Sequence, residues 1–230
     1  KLHQKISVNE SGCVELGTLE KLLRVKDSPN IVSVMLANNE TGVIQPIEEI
    51  VRLSQPFDTF VHTDAIQACG KVNLDWGILG VDALSLSAHK IGGPQGVGAL
   101  ILNKKFDLDA RFFGGGQERS YRPGTENVPG IVGFGLAAEL AADLDRNKGI
   151  ELLRNELERK ILKIAPNAVI HGQQSQRIPN TSCISMPGVL AETQIMKFDL
   201  AGIMVSAGSA CSSGKVQNSH VLRAMGVKES

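Results

Sequence analysis

Apolar residues recur with two different periods along roughly the first 145 residues, and the two periods alternate. Some apolar runs are nearly continuous or skip every second position, which is typical of strands with other elements packed on them. Others have helical spacing, as after Pro46, a residue tolerated in the first turn of a helix. This alternation indicates an α/β fold, a mostly parallel sheet flanked by helices. The predicted strands are 31–36, 60–64, 81–87 and 97–102, the last one antiparallel after a glycine turn, and the predicted helices are 18–26 (N-capped by Thr18), 46–53, 128–144 and 150–164.

The pattern changes near residue 145. Beyond it, strands are predicted at 168–170, 181–186 and 203–206, and helices at 192–199 and at 220–225, the latter capped by Asn218 or Ser219. Short strands mixed with helices indicate a smaller α+β domain. We therefore predict a large domain at 1–145 and a small domain at 146–230. The sequence starts without Met and ends in polar residues, so we expect both domains to be incomplete parts of a longer protein.

Composition narrows the class of protein. The chain has 230 residues, and its 24 basic and 24 acidic residues cancel, which argues against a broad surface for nucleic acid or anionic lipid. No apolar run approaches the roughly 20 residues of a membrane span. Four cysteines are too few for a disulfide framework and show no metal-ligand spacing. We therefore predict no metal site and a reducing, cytoplasmic location.

Two strand ends carry the main candidate chemistry. Asp64 ends the strand at 60–64, and Lys90 follows the strand at 81–87. The carboxyl ends of parallel strands meet at one edge of a sheet, which is where α/β proteins bind ligands. Alone, a lysine there is most often a solvated surface residue, and an aspartate a turn cap. Together they are the groups that pyridoxal phosphate (PLP) requires, a lysine for the Schiff base and an acid for the pyridinium nitrogen.

Neighbouring polar residues extend this candidate site. Gln67 lies one turn after the aspartate, where its amide would reach the phenolic oxygen of the cofactor, although an exposed loop residue is an equal interpretation. Ser87 and His89 flank the lysine and are able to donate to a phosphate. Asn39, at another strand end, suits a substrate carboxylate or the cofactor, or simply a turn. His62 is interpreted as a hydrogen-bonded strand residue rather than a catalyst.

A second candidate is a cysteine in a loop of small residues. Cys211 lies within 206–214, where serine, alanine and glycine dominate. Structural cysteines usually lie in a core, whereas reactive thiolates need exposure. A thiol on such a loop is able to enter an active site, accept a group there and carry that group away. The alternative is an incidental surface cysteine. Cys13, Cys69 and Cys183 are interpreted as structural.

Four motifs follow one another along the chain: HTDAIQ (62–67), SAHK (87–90) continued by GPQGVG (93–98), GGGQER (114–119) with RPGT (122–125), and SAC (209–211). They resemble those of the cysteine desulfurases, class V PLP-dependent enzymes with the aminotransferase-like fold (the aspartate aminotransferase fold type I). The motifs occur in family order, and the similarity runs from about residue 30 to residue 226. The loop around Cys211 resembles the long, serine-rich form of the family.

The resemblance implies a role for each residue near the cofactor. Lys90 would form the Schiff base with PLP, and Asp64 would pair with the pyridine nitrogen. Gln67 would bond the phenolic oxygen. Ser87 and His89 would bind the phosphate. These implied roles agree with what the residue types suggest on their own.

The resemblance also implies the reaction and its partners. Thr125 would reach the phosphate site of a partner subunit in a homodimer, and Asn39 would lie near the cofactor and the substrate carboxylate. Cys211 would attack the sulfur of L-cysteine, which gives alanine and a persulfide. That sulfur would pass to an iron–sulfur scaffold or sulfur-carrier protein.

Some parts of the family pattern have no counterpart in the sequence. These are an N-terminal segment with a Gly-Thr phosphate loop and a histidine that stacks on PLP, and a C-terminal arginine that binds the substrate carboxylate. Three alternatives therefore stay open. The whole protein would be a selenocysteine lyase, or another class V aminotransferase, or this chain would be an inactive fragment that serves only as an interaction module.

Overall fold

The structure, a computed structural model, describes residues 3–25, 31–104, 109–208 and 218–228, which group into two compact units. The sheet unit comprises Val25–Leu36 and Ile47–Leu144, and the C-terminal unit comprises Lys1–Arg24, Ala37–Pro46 and Asp145–Ser230. Neither unit is continuous in sequence, because the segment 37–46 groups with the C-terminal residues. The division at residue 145 stays a prediction about the domains of the whole protein.

Six strands and seven α-helices lie in the described residues. The strands are β1 (Ile31–Met35), β2 (Phe60–Asp64), β3 (Ala83–Ser87), β4 (Gly98–Leu102), β5 (Val169–His171) and β6 (Cys183–Ser185). The helices are α1 (Leu16–Leu23), α2 (Ile47–Ser54), α3 (Trp76–Leu79), α4 (Val128–Ala141), α5 (Arg146–Ile164), α6 (Ala191–Leu200) and α7 (His220–Ala224). Every predicted helix is present, with ends that shift by up to four residues, and the short α3 was not predicted.

The sheet unit is built on a four-stranded sheet in the order β1-β2-β3-β4. The first three strands are parallel, and β4 is antiparallel to β3, as the sequence predicts. One face is apolar, with Val32, Val61 and Leu84 buried, and α2 packs against β2 and buries Ile47 and Ile50. Because the parallel strands end at the same edge, the residues that follow β2 and β3 are brought together there.

A tight turn follows β3 and fixes the position of Lys90. The chain makes a 3-10 turn over Ala88–Ile91, and the Gly93 amide donates to the Ala88 carbonyl at 2.9 Å. A Cβ on Gly93 would lie 3.1 Å from that carbonyl oxygen and 3.1 Å from Cβ of Ala137 in α4. Glycine is therefore needed where α4 packs on the turn, which explains part of the GPQGVG motif.

Helix α1 begins earlier than the predicted N-cap. Thr18 was expected to cap the helix, but Glu15 occupies the cap position. The Thr18 amide donates to the Glu15 carbonyl at 2.9 Å, and the Thr18 hydroxyl donates to the Glu15 carboxylate at 3.2 Å. Thr18 therefore lies inside the first turn, and its hydroxyl is a donor instead of the acceptor that an N-cap needs.

The C-terminal unit contains a two-stranded antiparallel sheet, β5 and β6, in which Ile170 faces Ile184. The strand predicted at 203–206 is wrong, because in the structure these residues have no strand to pair with among the described residues. A strand without a ladder partner is not stable in water. Of the two caps predicted for α7, Asn218 and Ser219, the structure has Ser219, whose hydroxyl accepts from the Leu222 amide at 3.0 Å.

A buried acid–base pair lies in the same unit. Nη1 and Nη2 of Arg177 donate to Glu158 of α5, at 2.7 and 2.9 Å, and the Ser182 hydroxyl donates to the same carboxylate at 2.7 Å. The two charged side chains are each 5% exposed. Both carboxylate oxygens of Glu158 are thus hydrogen-bonded.

None of the helices in the described ranges is both long and apolar enough to cross a bilayer.

Candidate functional site

Asp64 and Lys90 lie at the carboxyl ends of neighbouring strands. Asp64 is the last residue of β2 and pairs in parallel register with Ser85 of β3, and Lys90 lies in the 3-10 turn directly after β3. Both side chains are partly buried. Within residues 31–104, no ion pair joins the two. An acid and an amine are thus held at one sheet edge without neutralising each other.

The Asp64 carboxylate is oriented by one oxygen only. Oδ1 accepts from the Ile66 amide at 2.9 Å, which closes a local turn. Oδ2 has no hydrogen bond to any described residue. A carboxylate with one fixed and one available oxygen is suited to accept a proton donor from a ligand, such as a ring N–H.

His62 is saturated by two serines, as the sequence analysis expected. Its Nδ1 lies 2.8 Å from the Ser33 hydroxyl on β1, and its Nε2 lies 2.8 Å from the Ser85 hydroxyl on β3. Burial lowers the pKa of His62, and the charge of Asp64 works in the opposite direction. A neutral imidazole suits this row, because each serine is able to act as donor or acceptor. The row supports the strand that carries Asp64.

The two predicted phosphate ligands are bonded to each other. The Ser87 hydroxyl lies 2.8 Å from Nδ1 of His89, and the His89 side chain is exposed. Since Nδ1 is used, Nε2 is the nitrogen available to an anion. The structure therefore brings Ser87 and His89 together, directly beside Lys90, while their binding roles stay predictions.

Lys71 is a neighbour that the sequence analysis missed. Its ammonium donates to the Gln67 carbonyl at 2.8 Å and so holds the turn that carries the predicted cofactor ligand Gln67. Burial lowers the pKa of Lys71, Cys69 opposes this, and the charge of Lys90 lowers the pKa further. Two lysines therefore interact at this edge. No sequence pattern separates Lys71 from an ordinary surface lysine.

Asn39 lies in the other unit, in a loop that a different asparagine organises. Oδ1 of Asn38 accepts from the amides of Glu40 and Thr41, each at 2.9 Å, and from the Thr41 hydroxyl at 3.2 Å. Asn39 is partly buried and makes no hydrogen bond with the described residues. The loop thus fixes its neighbours and leaves the Asn39 amide unused.

Thr125 and Cys211 are the remaining predicted site residues. Thr125 is exposed, in an irregular segment before α4. The same segment presents Phe112 and Phe113, which are 69% and 90% exposed. Cys211 lies outside the described residues, so its place relative to Lys90 stays a prediction.

The described cysteines have the properties of structural thiols. Cys13, Cys69 and Cys183 are free. Burial is the main cause that raises the pKa of Cys183 to about 11, with a further rise from Glu40 and an opposing effect of Arg177. Burial also raises the pKa of Cys69. Thiols with raised pKa values are poor nucleophiles at neutral pH.

Comparison with known proteins gives consistent matches. A curated cysteine desulfurase from Cereibacter sphaeroides is 48% identical over 197 residues, which are 86% of this chain and 51% of the relative. The cysteine desulfurase NifS of Azotobacter vinelandii is 41% identical over 225 residues, or 97% of this chain and 56% of the relative. The chain thus spans about half the length of the curated relatives it matches.

Solved structures agree with these matches. The X-ray structure of a NifS-like protein from Rickettsia africae superposes with a TM-score of 0.89 at 42% identity, over 97% of this chain and 60% of that one. A second NifS-like protein gives a TM-score of 0.87 at 38% identity, over 98% of this chain and 59% of that one. The model of the class V aminotransferases matches residues 3–227, and the chain therefore belongs to the class V aminotransferase family.

Proposed function

We propose that the whole protein is a cysteine desulfurase, which converts L-cysteine to L-alanine and leaves the sulfur as a persulfide on Cys211. The observation that carries the proposal is the pair of Asp64 and Lys90 at the ends of neighbouring parallel strands, each with unused bonding capacity. The family is PLP-dependent, and the matched relatives are named cysteine desulfurases.

The groups at the sheet edge fit PLP. Oδ2 of Asp64 suits the pyridinium N–H, Lys90 suits the aldehyde, and the Ser87–His89 pair suits the phosphate. When bound, PLP supplies an electron sink for the electron pair left at the substrate α-carbon. Asp64 would keep the ring nitrogen protonated, because an ionised carboxylate favours the neighbouring positive charge.

Lys90 would move the substrate proton. Its amine, in the turn directly after β3, would hold the cofactor, and the same side chain would be the base that takes the proton from the substrate α-carbon.

Cys211 would be the nucleophile. Its thiolate attacks the sulfur of the substrate, the bond from that sulfur to Cβ breaks, and the electron pair of that bond remains with the carbon that becomes the methyl group of alanine. The raised pKa values of Cys69 and Cys183 support the choice of Cys211 by contrast, because those thiols are poorly ionised.

We extend the proposal to partners and location. The active form is a homodimer in which Thr125 of one subunit reaches the phosphate site of the other, and the persulfide passes to an iron–sulfur scaffold or carrier protein in the cytoplasm. Thr125 is exposed in the same segment of the chain as the exposed Phe112 and Phe113, which supports an interface at this segment. The names IscS and NifS among the relatives support the role in cluster assembly.

Mass spectrometry of the full-length protein tests the proposal. We expect incubation with PLP and L-cysteine to add one sulfur atom, confined to the peptide that contains Cys211, with release of alanine in equal amount. Cys211→Ser should form no persulfide, and Cys183→Ser should behave as wild type. Full turnover by Cys211→Ser with an amino donor would indicate an aminotransferase instead. A strong preference for L-selenocysteine over L-cysteine would indicate a selenocysteine lyase. Failure to take up PLP would indicate an interaction module.

A further inference from the structure

Glu40 is a buried carboxylate that the proposed reaction does not use. The residue is 9% exposed. Its Oε2 accepts from the Ser219 hydroxyl at 2.5 Å, and its Oε1 is buried with no partner in the described residues. An orphaned buried oxygen costs free energy, because its lost hydration is not replaced by a hydrogen bond. Glu40 therefore differs from Glu158, both of whose carboxylate oxygens are hydrogen-bonded.

The backbone that carries Glu40 is held from several sides. Asn38 binds the Glu40 amide, and the isolated bridge between Ala37 and Ile44 closes the loop. Gly42 has a φ of +75°, and a Cβ there would lie 3.0 Å from Cβ of Thr181. The loop therefore has little room to move, and the direction of the Glu40 carboxylate is set by its own segment.

Ser219 has two roles at the start of α7. Its oxygen accepts from the Leu222 amide at 3.0 Å, which caps the helix, while its proton goes to Glu40. Helix α7 has only five residues and is too short to be stable alone. Met225, just after it, is buried, and its side chain lies 3.4 Å from where a Cβ of Gly12 would be. The helix is thus fixed at both ends, and Glu40 provides the fixed point at its start.

This fixed point lies close in sequence to the proposed nucleophile. Cys211 precedes Ser219 by eight residues. An extended chain of that length reaches at most about 28 Å, so the position of Ser219 limits the volume that the thiol is able to sample. The rate of an intramolecular attack depends on this effective concentration.

We propose that Glu40 is a positioning residue for sulfur transfer, which acts by anchoring Ser219 to the loop that carries Asn39. The proposal rests on the proposed function. Glu40 does not touch the substrate. It fixes the C-terminal end of the segment that carries Cys211, and its loss moves that end without altering the groups at the sheet edge.

Two pairs of variants separate anchoring from charge and from helix capping. Glu40→Gln keeps an oxygen acceptor for the Ser219 proton, whereas Glu40→Ala removes it. Ser219→Thr keeps both roles of the hydroxyl. Ser219→Asp keeps an N-cap acceptor for Leu222 but has no proton to donate to Glu40 and places a like charge beside it. Glu48→Ala, on the exposed side of α2, is the matched control for removal of a carboxylate.

The test uses full-length protein loaded with PLP. Glu40→Ala and Ser219→Asp should lower the single-turnover rate of persulfide formation on Cys211 at least tenfold. Glu40→Gln, Ser219→Thr and Glu48→Ala should stay within threefold of wild type. The absorbance change on adding L-alanine should be the same in all of them, because this step does not need Cys211.

Amide exchange gives an answer that does not depend on turnover. Deuterium uptake in residues 220–224 should be at least tenfold faster in Glu40→Ala and unchanged in Glu40→Gln. Unchanged exchange in Glu40→Ala, or persulfide formation at the wild-type rate in Ser219→Asp, would overturn the inference. A wild-type protein that forms no persulfide would instead overturn the proposed function, and the exchange result would still decide whether Glu40 anchors α7.

Discussion

Two of the acid–base pairs in the described residues are used in opposite ways. Glu158 and Arg177 in the C-terminal unit are buried, bonded through two short contacts, and completed by Ser182. Asp64 and Lys90 in the sheet unit are partly exposed and are not bonded to each other. The saturated pair stabilises a fold and has nothing left for a ligand. The separated pair contributes little to the fold and retains the donors and acceptors that a cofactor needs.

Removal of the Lys90 amine from the separated pair should have the largest effect. Lys90→Ala should lower persulfide formation by at least about 1,000-fold, because both the covalent attachment of PLP and the proton transfer are lost. The unfolding free energy of the cofactor-free protein should not change, since Lys90 makes no hydrogen bond or ion pair with the described residues. Absorbance spectra and urea unfolding measure the two quantities.

Lys71→Met is the matched control for this change. Lys71 donates to the Gln67 carbonyl and is not at the end of β3, so the variant should keep the absorbance band of a PLP Schiff base. Loss of the absorbance band in Lys71→Met, together with its retention in Lys90→Ala, would mean that Lys71 rather than Lys90 holds PLP. That result would contradict the comparison of the two acid–base pairs.

The saturated pair should show the reverse behaviour. Arg177→Met leaves the Glu158 carboxylate buried without its partner, which should cost about 3–5 kcal/mol of unfolding free energy. The Arg159–Glu156 pair on α5 is exposed, so Arg159→Met should leave stability within experimental error. Urea unfolding of both variants measures the difference. Equal effects would mean that burial does not distinguish these pairs.

A smaller effect should appear in the pH dependence of stability. Burial by itself raises the pKa of Glu158, but the hydrogen bonds from Arg177 and Ser182 and the charges of Arg177 and Arg154 outweigh it, so the pKa of Glu158 in the folded protein lies below 4.5. The stabilisation is complete above pH 4.5 and is lost as the pH falls through the folded-state pKa. The stability gap between wild type and Glu158→Gln should therefore narrow below pH 4.5, and a constant gap would contradict this.

Hydrophobic periodicity predicted the four strands of the sheet unit because strands covered by helices have a strong apolar pattern. It failed at 203–206, where an apolar run has no strand to pair with among the described residues. Hydrophobic periodicity indicates which secondary structure a segment prefers. Whether a strand forms depends on a partner elsewhere in the chain.

The candidate site likewise has features that the sequence predicts and features that it does not predict. The motifs around Asp64 and Lys90 were readable in the sequence because each follows its own strand directly. The Ser33–His62–Ser85 row joins three strands, and the bond from Ser219 to Glu40 joins residues 179 positions apart. Nothing local marks such contacts, since each partner alone has the composition of an ordinary polar residue.

The sequence by itself determined which residues end the parallel strands, and with them the acid and the amine of the candidate site. Only the tertiary structure decided that both oxygens of Glu158 are hydrogen-bonded, that the charge of Lys90 helps to lower the pKa of Lys71, and that Glu40 holds the start of α7. The physical reason is the separation along the chain over which each kind of interaction acts. Strand and turn preferences act over a few neighbouring residues, whereas burial, hydrogen-bond saturation and charge coupling depend on which distant segments pack together.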